Sequence, residues 1–410
     1  MSKSATRGKI IVSGILFWYP LAGVTYQFLH YLLGLRRLGY DPYYIEDSGR
    51  WVYDPRLNTT SGDASGNVAM VAPILEAYGF AERWAYRNPY VAGQCYGLSE
   101  ARIRELYKEA DALLNVTGAQ EIREEQMACP RRIYIESDPF AIQVLADQGD
   151  PAKIAMLDAH DTLFTFGENV GQADCAVPTG HYNWLPTRQP VALDLWDNKG
   201  GGGTTYNTIT TWHNSGKNVS YDGDVYYWTK DREFEKYLDL PRRALLSTPP
   251  PSASASSQRA THPQFELAVQ LSEDARPAVQ RLLADHGWQV ADAVHISNDM
   301  GRYRGYIQQS RAEFTVARDQ YTRPRTGWFS DRSACYLAAG RPVITQETGF
   351  SKYLPTGKGL FAFSTLEDIL AAIDVIESDY ARNCRAARAI AEEYFAAEKV
   401  IGSLMQRAGL

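Results

Sequence analysis

The chain has 410 residues, and at about 150 residues per domain that length calls for two or three folding units. Apolar residues make up 45% and charged residues 22%, enough to fill two cores and too apolar a balance for a disordered chain. The net charge is −6 with acidic and basic residues interleaved and no long basic run, so nucleic acid is not an expected partner.

Residues 9–13 form a short β-rich apolar run, followed by a loop over 14–23. The apolar stretch 10–19 is too short to span a bilayer and is interrupted at Gly14, so it reads as a buried first strand. Val24, Phe28, Leu32, Leu35 and Leu38 recur at helical spacing, Gly39 stops that helix, and 42–45 reads as a second strand. This is a βαβ opening to a parallel sheet. Helical patterns over 68–78, 99–110 and 139–146 alternate with strands at 112–116, 132–136 and 162–166, which predicts a doubly wound domain over 1–190.

The pattern breaks at 186–205. The run Gly200 to Gly203 lacks the Lys-Ser/Thr ending of a phosphate loop and reads as flexible connection. Residues 219–226 alternate around Asp222-Gly223, a β-hairpin inserted in the second half. The Pro-, Ser- and Ala-rich stretch 247–263 reads as a mobile surface loop. A second α/β run opens at 265–269 and continues with strands at 313–317 and 342–346 and a helix over 331–339. A capping box of Ser364 with Glu367 starts another helix, and terminal helices cover 380–407. The fold class expected is α/β, two Rossmann-like doubly wound domains facing a cleft: 1–190, 191–390, and a C-terminal helix over 391–410 returning to the first domain.

The run Ala338-Ala339-Gly340-Arg341-Pro342-Val343-Ile344, a polar strand end and then Thr348-Gly349-Phe350 resemble the donor-binding half of GT-B glycosyltransferases. The resemblance covers 311–405, and the terminal helices are similar to the family's closing helices. It implies transfer of a sugar from a nucleotide-diphosphate sugar to a glycan or small-molecule acceptor. It also implies no metal and no cofactor beyond the donor, with a helix dipole and basic side chains doing the metal's work. Many retaining members carry two glutamates eight positions apart in this region; here Gly327 and Cys335 stand in those places.

A diphosphate needs N–H donors and positive charge, and a helix N-terminus supplies the donors with a favourable dipole. Ser330, Asp331, Arg332 and Ser333 lie where such a helix should begin, and Arg332 is placed for a bidentate phosphate contact. Thr348, Gly349 and Phe350 form a second candidate loop. Gln346 and Glu347 at a strand end are candidates for sugar hydroxyls, Trp328 for stacking on the base or for packing, and Lys230 for the diphosphate or for solvent. The first half should supply the acceptor surface, with Phe17, Trp18 and Tyr19 on its side, and a general base, Asp138 or Glu168, each following a strand. The five scattered cysteines read as free thiols of a reducing cytoplasm. Two other functions fit the same pattern: a nucleotide-sugar epimerase and a non-catalytic nucleotide-sugar-binding protein.

Overall fold

The computed structural model describes residues 7–198, 200–214, 216–247 and 262–410, so most of the proline- and serine-rich stretch, 248–261, lies outside the described residues. The chain divides into two compact units. The first comprises Met1–Ala192, Asn298–Met300 and Tyr394–Leu410, the second Leu193–Ser297 and Gly301–Glu393.

In the first unit the strands are β1 (Lys9–Ser13), β2 (Asp41–Glu46), β3 (Val52–Asp54), β4 (Thr59–Ser61), β5 (Trp84–Arg87), β6 (Cys95–Gly97), β7 (Ala112–Val116), β8 (Arg132–Glu136), β9 (Thr162–Thr165) and β10 (Trp184–Pro186). Eight of them make one sheet in the order β10-β9-β8-β7-β1-β2-β5-β6, with β6 antiparallel to β5 and the other pairs parallel. The chain winds outward from β1 to one side and then to the other, which puts the topological switch point between β1 and β7. Parallel strands covered on both faces read as unbroken apolar runs, as Ile10, Ile11 and Val12 do. One face packs Ile11, Ile45 and Leu113 against Ile103, Leu106 and Tyr107 of the Glu100–Glu109 helix. The C-terminal helix Ala397–Arg407 lies on the helix Ala22–Arg37 at Gly34, where a Cβ would stand 2.5 Å from Ile401 Cδ1.

The second unit contains β11 (Thr205–Thr211), β12 (Val219–Tyr221), β13 (Asp224–Tyr226), β14 (Gln264–Gln270), β15 (Gln289–Asp292), β16 (Ala312–Thr315), β17 (Val343–Gln346) and β18 (Leu360–Phe363). Its sheet is parallel in the order β15-β14-β11-β16-β17-β18, and β12 and β13 form the hairpin with Asp222 and Gly223 both at positive φ. Counted by appearance, the six strands lie 3-2-1-4-5-6, the order of dinucleotide-binding folds, with the switch point between β11 and β16.

Three local readings change. The second run opens at β11, not at 265. This strand looks polar because its Asn207 accepts from Tyr336 Oη at 2.9 Å and its Thr208 donates to Glu313 at 3.2 Å, so its polar atoms are paired inside the unit. The capping box sits one residue later, with Thr365 accepting from the Asp368 amide and Asp368 accepting from those of Ser364 and Thr365. The glycine run is packed rather than loose. Arg341 donates to the Gly200 and Gly201 carbonyls at 3.3 Å, and a Cβ on Gly203 would stand 2.3 Å from the Gln309 carbonyl oxygen. Gly203→Ala is therefore expected to cost about 1–3 kcal/mol, read as a lower Tm; an unchanged Tm would mean that the backbone yields freely there.

Among the described residues no helix is long and apolar enough to cross a membrane.

Candidate functional site

Ligands of open parallel sheets sit beyond the carboxyl ends of the strands, at the switch point. In the second unit that end is roofed by the turn 229–233. Thr229 Oγ1 and the Asp231 amide both donate to the carbonyl of Trp212, just past β11, at 3.2 and 3.0 Å. Glu233, in the same turn, accepts from Gln346 Nε2 at the end of β17 at 2.7 Å, while Gln346 Oε1 accepts from the Ala317 amide beyond β16 at 3.1 Å. Lys230, 6% exposed, is thereby held over the ends of three adjacent strands.

Beside this turn the helix Asp331–Ala338 begins. Its N-cap, Ser330, has extended backbone and makes no side-chain cap, and Ser333 in the first turn has a buried hydroxyl without a hydrogen-bond partner. The segments 326–330 and 347–350 are knitted together. Gly327 N donates to Thr348 O at 2.7 Å, Thr348 Oγ1 to Trp328 O at 2.6 Å, and Phe329 packs on Phe350 at 5.4 Å. Gly349 has φ 97°, a left-handed conformation that favours glycine, and its amide donates to the Glu347 carboxylate.

Within this cluster several side chains have other duties than those read from the sequence. Arg332 does not reach outward. Its Nε pairs with the buried Glu313 at 2.6 Å, Nη1 donates to the Ile209 carbonyl at 2.7 Å, and Nη2 to Thr315 Oγ1 at 2.9 Å. The guanidinium neutralises an internal carboxylate, and three of its five N–H groups are taken by the protein itself. Trp328 is a packing residue, 8% exposed with its ring 4.4 Å from that of Tyr321. Gln346 spends both ends of its amide on Ala317 and Glu233, Glu347 closes its own turn, and Phe350 is buried. Asp331 is half-buried in the first helical turn, where a carboxylate suits the dipole. Cys335, at the place of one glutamate of retaining enzymes, is buried with its thiol pushed well up by desolvation.

In the first unit, Phe17 is a core residue against Tyr44, Trp84 and Tyr86, not an acceptor surface. Trp18 and Tyr19 are half-buried, and Arg50 lies over the Trp18 ring at 4.7 Å. Glu46, at the end of β2, shapes this loop by accepting from the Phe17 and Trp18 amides at 2.8 and 2.7 Å, and burial raises its carboxyl to about 7. Beside it the buried Asp47 binds Arg87 at 2.6 Å and Arg123 at 2.8 Å.

Of the two candidate bases, Asp138 is exposed just past β8 beside Ser137. Glu168 is paired with Arg188 at 2.5 Å and raised by burial. A third acid escaped the sequence reading. Glu136, the last residue of β8, accepts from Thr165 Oγ1 at 2.8 Å and from Gln143, its other oxygen is buried without a partner, and desolvation raises it to about 8. One signal was available: Tyr44-Ile45-Glu46 and Tyr134-Ile135-Glu136 both end an apolar strand with the same acid.

No family model matches the sequence, and no curated protein matches it. Solved structures do match. An α-glucosyltransferase in complex with UDP and a 13-mer DNA containing an HMU base superposes with a TM-score of 0.58 at 10% identity, over 99% of this chain and 100% of that one. A glycosyltransferase from Rickettsia africae gives 0.55 at 10% identity, over 98% of each chain. AviGT4, a glycosyltransferase of avilamycin A biosynthesis, gives 0.55 at 9% identity, over 98% of this chain and 97% of that one. The chain has the two-domain α/β fold of GT-B glycosyltransferases.

Proposed function

We propose that this protein transfers a sugar from a nucleoside-diphosphate sugar to an acceptor hydroxyl. The observation that supports the reading best is the anion seat at one end of the second sheet. It combines the Asp331–Ala338 helix, which no side chain caps, the partnerless Ser333 hydroxyl, the left-handed turn at Gly349, and Lys230 over the ends of β11, β16 and β17. Helix amides and a lysine can take up the charge of a departing diphosphate without a metal. One structure of the same fold is an α-glucosyltransferase in complex with UDP-glucose and DNA, which favours a nucleotide sugar as ligand of this seat.

In this reading the acceptor oxygen attacks the anomeric carbon, the bond to the diphosphate breaks, and the acceptor's proton passes to a carboxylate of the first unit. Asp138 is the better base, because it is exposed whereas Glu168 is held by Arg188. A cytoplasmic location belongs to the same proposal, in keeping with five cysteines that form no disulfide.

The test is a thermal-shift panel of uridine, thymidine, guanosine and adenosine diphosphates, followed by release of diphosphate from the matching sugar donor with a mixture of methyl glycosides as acceptors. One diphosphate should raise Tm, and Lys230→Met should weaken it about 10- to 100-fold, the worth of one charge-assisted hydrogen bond. Asp138→Asn should lower kcat about 10²- to 10⁴-fold with donor affinity kept. No response to any diphosphate would end the proposal. Conversion of donor without acceptor would indicate an epimerase, and binding without turnover a non-catalytic binder.

A further inference from the structure

We propose that the second unit binds a phosphate monoester in a recess at the amino edge of its sheet, at the opposite end from the diphosphate seat. This binding does not rest on the transferase reading.

The recess has a volume of about 610 Å³. It lies among the glycine run that leads into β11, the turn at Gly340 and Arg341 that leads into β17, and the helix Tyr380–Ile390. Pockets for small molecules run from about 300 to 1,000 Å³, so the space takes a small organic anion and not only a bare ion. Arg341 precedes β17 and Gln346 ends it, a span of about 16 Å at the rise of a parallel strand. The recess and the seat are different places.

Arg341, Arg385 and Arg388 line it. Arg388 is a brace: Nη2 pairs with Asp197 at 2.9 Å, Nε pairs with Glu392 at 2.8 Å, and Nη1 covers the negative end of the helix Asp331–Ala338 by donating to the Ala338 carbonyl at 2.7 Å. Arg341 differs. It is 3% exposed, and each acceptor it meets is neutral: the Gln308 carbonyl at 2.9 Å, Tyr380 Oη at 3.0 Å, and the Gly200 and Gly201 carbonyls at 3.3 Å. Among the described residues no carboxylate pairs with it. Buried charges are ordinarily paired, and neutral partners fix this guanidinium in place without cancelling its charge. Arg385, three residues before Arg388 on the same helix, is exposed and makes no hydrogen bond or ion pair to a described side chain. Two cations thus stand at one recess without a counter-ion. A phosphate monoester brings about −1.5 to −2 charges at neutral pH and three acceptor oxygens on one centre, which matches two guanidinium forks. Ala338, Ala339, Ala381 and glycine backbone make up much of the remaining wall. Asn198 and Tyr380 spend their polar atoms on Gln308, Gly200, Arg311 and Arg341, so little is left to read the hydroxyls of an attached body. Recognition is of the charged group, and a neutral sugar is disfavoured.

The test titrates the full-length protein with methyl phosphate by calorimetry at fixed ionic strength, with dimethyl phosphate, succinate and methyl α-D-glucopyranoside as singly charged, dicarboxylate and neutral controls. Methyl phosphate should bind more tightly than any control. Arg385→Ala should weaken it about 10- to 100-fold, the worth of one charge-assisted hydrogen bond, with the diphosphate-induced Tm shift unchanged. Arg382→Ala, which removes an exposed arginine of the same helix outside the recess, should leave the affinity as it was. Arg385 is exposed and braces nothing, so its variant keeps the fold and reads the site directly. The recess is overturned if methyl phosphate does not bind, if a control binds as tightly, if Arg385→Ala binds undiminished, or if Arg382→Ala loses as much. Binding lost in Lys230→Met but kept in Arg385→Ala would put the ion in the seat at the other end of the sheet and overturn it too. Binding of methyl phosphate with no response to any diphosphate would sink the transferase reading and leave the recess standing.

Discussion

Arg332→Ala is expected to lower the Tm of the second unit by about 10 °C. The residue sits in the first turn of a helix at the carboxyl end of a sheet with the strand order of dinucleotide-binding folds, where an arginine invites a role on phosphate. Its guanidinium instead satisfies Glu313, a carboxylate in the middle of the sheet, along with the Ile209 carbonyl and Thr315. Removing one partner of a buried pair leaves an uncompensated charge and costs about 3–5 kcal/mol. For a unit of this size each kcal/mol moves Tm by about 2–4 °C. The double variant Glu313→Gln, Arg332→Met removes both charges and should recover much of the loss, since a buried pair exchanged for neutral groups of similar volume is often tolerated. The opposite pattern, an unchanged Tm with the nucleotide shift abolished, would show that Arg332 works on the ligand and that its internal pairing matters little.

The same residue marks how far the sequence could be read. The strands with an unbroken apolar run, Ile10–Val12 in β1, Ala112–Leu114 in β7 and Val343–Ile344 in β17, announce themselves, because a parallel strand covered on both faces has nowhere to put a polar side chain without a partner. β11 hides for the converse reason: Asn207 and Thr208 find partners at Tyr336 and Glu313, more than a hundred residues onward. The loops past the strand ends are legible too, since they need only the strand ends to be placed. What a polar side chain does inside such a loop is decided by its neighbours in space. Gln346 looks like a sugar ligand until Glu233, 113 residues earlier, takes its amide. Phe17 looks like an acceptor wall until Tyr44, Trp84 and Tyr86 close around it. Glu136 was overlooked because an acid at the last position of a strand is ordinarily solvated; its burial comes from Gln143 and Thr165.

That acid yields the second large expectation: the first unit should lose stability as pH rises from about 6.5 to 8, and Glu136→Gln should remove much of the loss. Folding raises Glu136 from 4.5 to about 8 and Glu46 from 4.5 to about 7, chiefly by desolvation. Across that window the folded state holds protons that the unfolded state has released, so stability falls with rising pH. His160 acts in the other direction. Desolvation lowers it from 6.5 to about 4, so the unfolded state takes up its proton first, and its contribution rises between about pH 4 and 6.5, offsetting one of the two acids there. Above 6.5 the acids stand alone. A glutamine at 136 mimics the protonated acid in both states, so the variant should match wild type only below about pH 4.5, gain on it as pH rises, and keep a constant lead above pH 8. Parallel Tm-against-pH curves for the two proteins would refute the assignment. The charge of Asp138 contributes to holding Glu136 protonated, so the end of β8 sets a neutral inner acid behind an exposed outer one. Two acids whose environments drive them apart can take different roles. A protonated Glu136 spares the exposed Asp138 a negative charge close behind it, which would suit the outer carboxylate to the base role proposed for it.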